Sequence, residues 1–325
     1  MINENTNNQE NPKKGNIEKQ NEDYLKSLLG ENDKKEMVKK EIVNDKYDAP
    51  SSDYVSVNIS NLPGGKFYKP STKISIRAAK VAEIQSYSMV DDNNFVDITE
   101  KMNELLSKNV IFYHPDGTKG SYRDLKDADR MFLIFMIREL TFQGGNTLTK
   151  EVVCNECGNE FNIPFRSTHG QFGPSTFDLY EPNEFINRFY NKEERVYELI
   201  HNDVSWRLAP PTIGIQEDFY EEIKRNVQME KKPDVAFMKI MPFLMHNRSS
   251  ITPDGIKAKH KEFSNMNDLI LFQGLNELVN NMTIGIKGLK MECPSCGQEV
   301  HTELTFPTGA SKLFELPNIL DRFGK

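Results

Sequence analysis

Hydrophobic residues along this chain follow two spacings, and the spacing distinguishes predicted strands from predicted helices. Residues 55–59 and 73–77 alternate apolar and polar positions, so we predict two strands that pair as a hairpin. In residues 124–142 apolar positions recur every three or four residues, which predicts a helix with one buried face. A capping-box pattern that starts at Asp97 predicts another helix, which continues to residue 108.

The stretch 167–288 is predicted to be a mainly helical insertion. Two stripes of apolar residues at helical spacing support this interpretation, namely Ile215, Phe219, Ile223 and Val227, and then Leu271, Leu275, Leu278 and Met282. A further helix is predicted over 233–245, with Pro242 as its kink or its end. One pair of short strands, over 196–200 and 204–208, interrupts the helical pattern. Strands and helices together place the chain in the α+β class.

The two ends of the chain differ from this pattern. Residues 1–52 form an acidic and polar arm with too few apolar residues to offset the entropy of folding, so we predict disorder there. Residues 312–323 are rich in apolar side chains but are divided by Pro317. This composition allows only a short helix, which needs a surface to dock on. That surface is either the chain itself or a partner protein.

Four cysteines, the only ones in 325 residues, form two C-x-x-C pairs that are each followed by glycine. The first pair is Cys154 and Cys157, and the second is Cys293 and Cys296. Such a turn directs two thiolates at one metal ion, and the glycine permits the left-handed backbone that closes the turn. Two turns supply four sulfurs, which predicts one structural Zn²⁺ in a tetrahedral four-cysteine site.

The separation between the two pairs is unusual. Cys157 and Cys293 lie 136 positions apart, from 157 to 293, whereas the pairs of a continuous module are separated by about 15–20 residues. Strand-like sequence follows each pair, over 160–165 and over 299–306. We therefore predict a split zinc ribbon that is interrupted by the mainly helical insertion.

Other roles for the cysteines remain open on the sequence alone, among them disulfides, an iron–sulfur centre and unliganded thiols. A thioredoxin-like redox pair lies between a strand and a helix, whereas each pair here leads into a strand. A catalytic zinc needs an open coordination position, which four thiolates do not leave. His301 is a further candidate ligand near the second pair, and a strand histidine is the simpler interpretation of it.

The charge of the chain and the motifs that it lacks argue against several functions, namely nucleic-acid binding, membrane insertion and common types of enzyme. The net charge is −7 with a pI near 5.6, and Arg166, Lys287 and Lys290 are too few to form a basic footprint beside the cysteines. No apolar run has the length of a membrane span, and the first residues lack the core of a signal peptide. Motifs of serine hydrolases, zinc proteases and dinucleotide-binding enzymes are absent from the sequence. We therefore expect a non-enzymatic protein of a reducing cytoplasm.

A series of short motifs runs through the first half of the ordered sequence. It begins with Leu-Pro-Gly-Gly-Lys-Phe-Tyr over 62–68 and continues with a strand over 74–77 that ends in arginine. Asp-Arg-Met-Phe-Leu follows over 129–133, and then comes the first C-x-x-C turn. Pro-Pro-Thr-Ile-Gly over 210–214 extends the series more weakly, as does the second turn. The series resembles the baseplate hub assembly family of T-even-type contractile-tailed bacteriophages.

The resemblance implies a non-enzymatic hub subunit or hub assembly factor of the phage tail baseplate. Its partners would be other baseplate hub and tail proteins, and its location would be the host cytoplasm during assembly or the baseplate of the virion. The alternative function is a zinc-ribbon regulatory protein that binds nucleic acid. Four segments are expected, namely the arm over 1–52, a hairpin with helices and the first turn over 53–166, the insertion over 167–288, and the second turn with the apolar segment over 289–325.

Overall fold

The computed structural model of the chain describes residues 53–142, 148–167, 175–181, 183–228, 235–244, 268–306 and 309–315, together with residues 255, 258 and 261. The arm predicted over 1–52 lies outside the described residues, and so does the chain end over 316–325. All of the described residues belong to one contact-defined unit, Asp45–Lys325. The fold mixes helices with several antiparallel sheets, as the α+β class requires.

The first sheet has three antiparallel strands in the order β1-β2-β3. These are β1 (Val55–Ser56), β2 (Lys73–Ile76) and β3 (Val110–Tyr113). β1 is shorter than the sequence predicts, because the side chain of Asn58 caps a 3-10 helix over Ile59–Asn61 and turns the chain away from β2.

Three helices accompany this sheet, namely α1 (Val81–Ser88), α2 (Phe95–Asn109) and α3 (Arg130–Thr141). The start predicted for α2 at Asp97 is wrong. Asn94 caps the helix instead, and its side chain accepts from the backbone N–H groups of Val96 and Asp97.

The start predicted for α3 at residue 124 is also early. Two 3-10 helices, Tyr122–Asp124 and Asp127–Asp129, precede α3 and use the residues of its predicted first turn. The buried face of α3 nevertheless follows the predicted spacing, because Phe132 and Phe135 are both buried in the main core.

Two further hairpins carry the cysteine turns. β4 (Thr149–Val153) pairs with β5 (Glu160–Pro164). β10 (Ile286–Glu292) pairs with β11 (Glu299–Glu303) and, on its other side, with β6 (Phe177–Leu179). Each hairpin thus encloses one C-x-x-C turn between two paired strands.

The insertion contains a sheet as well as helices. Besides β6, its described elements include α4 (Glu184–Asn187), β7 (Tyr190–Asn191), β8 (Val196–His201), β9 (Val204–Leu208), α5 (Ile213–Gln228), α6 (Val235–Leu244) and α7 (Leu269–Asn281). The strand pair expected in this region is confirmed as β8 and β9, and β7 adds a third strand. Pro242 lies inside the last turn of α6 and does not end it.

The structure describes six of the eight side chains in the two predicted helical stripes, and all six are buried. Leu271, Leu275, Leu278 and Met282 are all buried, and so are Ile215 and Phe219. The side chains of Ile223 and Val227 lie outside the described set. These buried residues of the insertion build a second hydrophobic cluster, which Phe67 of the N-terminal region joins.

The main core centres on α3 and includes the beginning of the C-terminal apolar segment. Leu313 and Phe314 are buried there, and the ring of Phe314 lies 5.1 Å from that of Tyr87. Arg138 of α3 donates from its Nε to the carbonyl of Leu313 at 2.6 Å. This part of the segment therefore packs on its own chain. Among the described helices, none combines the length and the apolar character that a membrane crossing needs.

Candidate metal centre

The two hairpins that carry the cysteines repeat one another in register. In the first, Val153 and Glu160 are the last paired residues before the C-x-x-C turn. In the second, Glu292 and Glu299 occupy the same places. In both hairpins the last strand pair therefore joins the residue before the first cysteine to the third residue after the second cysteine. The two turns start from equivalent positions of their hairpins.

Each turn is closed by a backbone hydrogen bond. The N–H of Gly158 donates to the carbonyl of Cys154 at 2.9 Å, and the N–H of Gly297 donates to the carbonyl of Cys293 at 2.9 Å. Both glycines have left-handed backbones, with φ of 69° and 74°. A residue with a Cβ would be strained at either position, which accounts for the glycine after each cysteine pair.

The four sulfurs converge although they come from opposite ends of the insertion. The Sγ atoms of Cys154 and Cys296 are 3.6 Å apart, those of Cys157 and Cys293 are 3.7 Å apart, and all four lie within 4.8 Å of one another. A tetrahedral ion with Zn–S bonds of about 2.3 Å needs sulfurs about 3.8 Å apart. A disulfide needs about 2.05 Å, and the four cysteines are free. The cluster has the chemistry and the dimensions to bind one metal ion.

The turns differ in how they expose their sulfurs. Cys154 and Cys293 are buried, whereas Cys157 and Cys296 are exposed. Burial acts to raise the pKa of Cys293, but the backbone N–H groups of Cys296 and Ser295 outweigh it and lower the pKa to about 6. A thiolate therefore forms at Cys293 near neutral pH, and the thiolate is the form that binds metal ions.

The pKa values of the exposed thiols, Cys157 and Cys296, are raised. The backbone N–H of Gln298 acts to lower the pKa of Cys296, but its contacts with the neighbouring thiols raise the pKa to about 12. Four thiolates at these distances repel one another, so a shared cation is required to keep all of them deprotonated.

His301 does not belong to the sulfur cluster. Its Nδ1 lies 3.1 Å from Asp178 and its Nε2 lies 2.7 Å from Glu299. Asp178 also pairs with Lys287 and Lys290 at 3.5 and 3.8 Å. The histidine and both lysines considered from the sequence are therefore engaged with carboxylates beside the second hairpin.

Sequence reasoning missed a second cluster, which is centred on the fully buried Asp129. One carboxylate oxygen accepts from the N–H of Gly64 at 2.6 Å, and the other accepts from the hydroxyl of Tyr68 at 2.7 Å. The same hydroxyl accepts from the N–H of Lys126 at 2.8 Å, and Lys126 Nζ donates to the carbonyl of Pro210 at 3.2 Å. The signal for it in the sequence, an acidic residue ahead of an apolar helix, is indistinguishable from an ordinary helix cap.

Burial dominates the titration of this second cluster. It raises the pKa of Asp129 to about 6, against the hydrogen bonds from Gly64 and Tyr68. It lowers the pKa of Lys126 to about 8, against the charge of Asp129. The charges of the two groups stabilise one another through space, although the Nζ of Lys126 is hydrogen-bonded to the carbonyl of Pro210 and not to the carboxylate.

Comparison of the chain with protein family models, with curated proteins and with solved structures finds no match in any of the three.

Proposed function

We propose that Cys154, Cys157, Cys293 and Cys296 bind one structural Zn²⁺ and that the two hairpins form a split zinc ribbon around it. The observation that supports this proposal is the convergence of four sulfurs within 4.8 Å from turns 139 positions apart, as from 154 to 293. Bound zinc would join the two ends of the insertion and would take no part in chemistry, because four thiolates complete its coordination.

The function that these features support best is that of a non-enzymatic hub subunit or hub assembly factor of a phage tail baseplate. Three of the segments that carry the family resemblance, 62–68, 129–133 and 210–214, meet at the buried cluster around Asp129. Motifs that belong to one shared core are expected to meet in this way. The proposed partners are other hub and tail proteins, in the host cytoplasm during assembly or in the baseplate of the virion.

The alternative, a zinc-ribbon regulator that binds nucleic acid, is less well supported. Lys287 and Lys290, the lysines of β10, both pair with the carboxylate of Asp178. A carboxylate at that position opposes the approach of phosphate groups and neutralises part of the positive charge.

The zinc assignment is tested by elemental analysis of protein purified under reducing conditions. One zinc per chain is expected in the wild type and in Asn155→Ala, and none is expected in Cys154→Ser/Cys157→Ser. Asn155 is an exposed position of the same turn as these two cysteines. A wild-type protein that folds fully with no metal bound would rule out the proposed centre.

The proposed assignment to the baseplate implies that a phage encodes the chain, and the assignment is tested in that phage. Mass spectrometry of purified virions and of infected-cell lysates distinguishes a hub subunit from a transient assembly factor. A phage with a stop codon in this gene is expected to produce incomplete tails, visible by electron microscopy. Normal, infectious tails from that mutant would refute the assignment and leave the zinc assignment untouched.

A further inference from the structure

A cleft with a volume of about 610 Å³ opens beside α2 and α5, away from the cysteine cluster. The N-terminal halves of both helices line it, and Tyr122, Arg123, Asp127 and the first residue of α3, Arg130, contribute the rest of its wall. Neither the proposed metal centre nor the cluster around Asp129 uses this space, so its lining requires a separate explanation.

The lining carries an excess of negative charge. Five carboxylates line the cleft, namely Glu100, Asp127, Glu217, Asp218 and Glu221. Its two guanidinium groups are already engaged, since Arg123 lies 2.5 Å from Asp218 and Arg130 lies 2.6 Å from Asp127. The cleft therefore has three more negative than positive groups, and its cations are held by its own walls.

A buried acceptor in the wall of the cleft lacks a donor. Asn103 is only 5% exposed, and its Nδ2 donates to Glu217 Oε1 at 2.8 Å. The hydroxyl of Tyr122 donates to the same oxygen at 3.0 Å. The Oδ1 of Asn103 has no hydrogen-bond partner within the described part of the chain. A buried acceptor without a donor is costly, so this wall has capacity for a ligand that brings N–H groups.

Two aromatic side chains that line the cleft are exposed in the free protein. Phe95, at the start of α2, is 78% exposed, and Tyr220 of α5 is 41% exposed. Phe95 sits one residue after the helix cap, so the fold of the helix does not require an aromatic ring there. Aromatic faces next to carboxylates attract planar cations, which stack on the ring while they hydrogen-bond to the acid.

We propose that this cleft binds an arginine side chain on a basic segment of a partner protein. A guanidinium group supplies several N–H donors in one plane, and these suit the carboxylates and the Oδ1 of Asn103. Phe95 lies eight positions before Asn103, about 12 Å along α2, so its ring would contact a second group of the same basic segment. A lysine fits less well, because its ammonium group does not stack as a plane. The proposal rests on the lining of the cleft and is independent of the zinc and baseplate assignments.

Fluorescence anisotropy with short labelled peptides tests the proposal on the full-length protein. The probe alternates glycine with arginine, and matched peptides carry lysine, citrulline or glutamate in place of arginine. The arginine peptide is expected to bind, and the citrulline peptide, which keeps the shape and loses the charge, is expected to bind about tenfold more weakly or not at all. Equal binding of the citrulline peptide, or no binding of the arginine peptide, would overturn the proposal.

Two surface variants locate the binding. Glu100→Gln/Glu221→Gln removes two exposed carboxylates of the cleft, whereas Glu193→Gln/Glu303→Gln removes two exposed carboxylates elsewhere and gives the same net charge. The cleft variant is expected to weaken arginine-peptide binding about five- to tenfold, and the control is expected to leave it within about twofold. Phe95→Ala should also weaken binding while the melting temperature stays unchanged. An equal loss in both double variants would mean that the peptide responds only to overall charge, and the cleft proposal would then be wrong.

Discussion

The carboxylate of Asp129 accepts a hydrogen bond from the backbone N–H of Gly64 at 2.6 Å, across 65 positions of sequence. Because Asp129 is fully buried, this bond is shielded from water and fixes the loop 62–68 against the start of α3. The hydroxyl of Tyr68 completes the arrangement from the same loop. One carboxylate therefore fixes both a backbone turn and an aromatic side chain.

Replacement of Asp129 is expected to destabilise the fold. Asp129→Ala leaves the N–H of Gly64 and the hydroxyl of Tyr68 buried without acceptors, which costs about 3–5 kcal/mol in the free energy of unfolding. Asp129→Asn keeps one acceptor and should cost less. Urea denaturation measures both values, with the exposed Glu193→Gln as the control. A loss below about 1 kcal/mol for the alanine variant would show that the cluster is not important for stability.

The raised pKa of Asp129 predicts an unusual dependence of stability on pH. Its pKa is about 6 in the folded protein and near 3.8 in the unfolded chain, so between these values the folded state binds the proton more tightly. The contribution of Asp129 to the free energy of unfolding therefore falls as the pH rises from about 4 to about 6. The component is on the order of 2–3 kcal/mol.

This component is isolated by comparison of wild type with Asp129→Asn in urea melts across that pH range. The difference in free energy of unfolding between the two proteins should change with pH below about 6 and become constant at higher pH, until Lys126 begins to lose its proton near pH 8. A difference that is constant from pH 4 to 6 contradicts the raised pKa.

Gly65 is predicted to tolerate no side chain. A Cβ at this position would lie 2.1 Å from the backbone carbonyl oxygen of Ile59, which is held in the first 3-10 helix and cannot move aside alone. Gly65→Ala should therefore cost about 2–4 kcal/mol.

A glycine of α7 provides the matched control. At Gly274 the nearest atom to an added Cβ is the flexible end of Leu199, at 3.1 Å. Gly274→Ala also gains helix propensity of about 1 kcal/mol, so it should be neutral or stabilising. Thermal melts of the two variants distinguish them, and similar losses in both would mean that the loop around Gly65 adapts.

Removal of the proposed zinc should loosen the fold at both ends of the insertion. A chelator such as EDTA is expected to lower the melting temperature of the wild type, because bound metal stabilises the folded state and restrains a long loop. Cys157→Ser/Cys296→Ser should melt at the lower temperature without chelator and should not respond to it. Added Zn²⁺ should restore the melting temperature of the chelated wild type and should not raise that of the variant. A chelated wild type with an unchanged melting temperature would count against a structural metal.

Much of the local structure is determined by the sequence itself. The spacing of apolar residues places β8, β9 and α7, because burial of one face imposes period two on a strand and period 3.6 on a helix. The C-x-x-C-Gly pattern likewise determines each turn, since its glycine meets a local backbone requirement. The sequence pattern misplaces the starts of α2 and α3, because competing caps and 3-10 turns differ by small energies.

The tertiary structure alone decides which distant residues meet. Nothing in the sequence around Asp129 indicates its partners. Its burial with Lys126, Gly64 and Tyr68 depends on how the start of α3 packs against the loop 62–68. The cleft that holds Asn103 likewise depends on the placement of α5 beside α2. The period of apolar residues predicts only whether a side chain faces the core. Which distant residue that side chain contacts is decided by long-range packing, because many weak contacts act together and no short stretch of sequence specifies them.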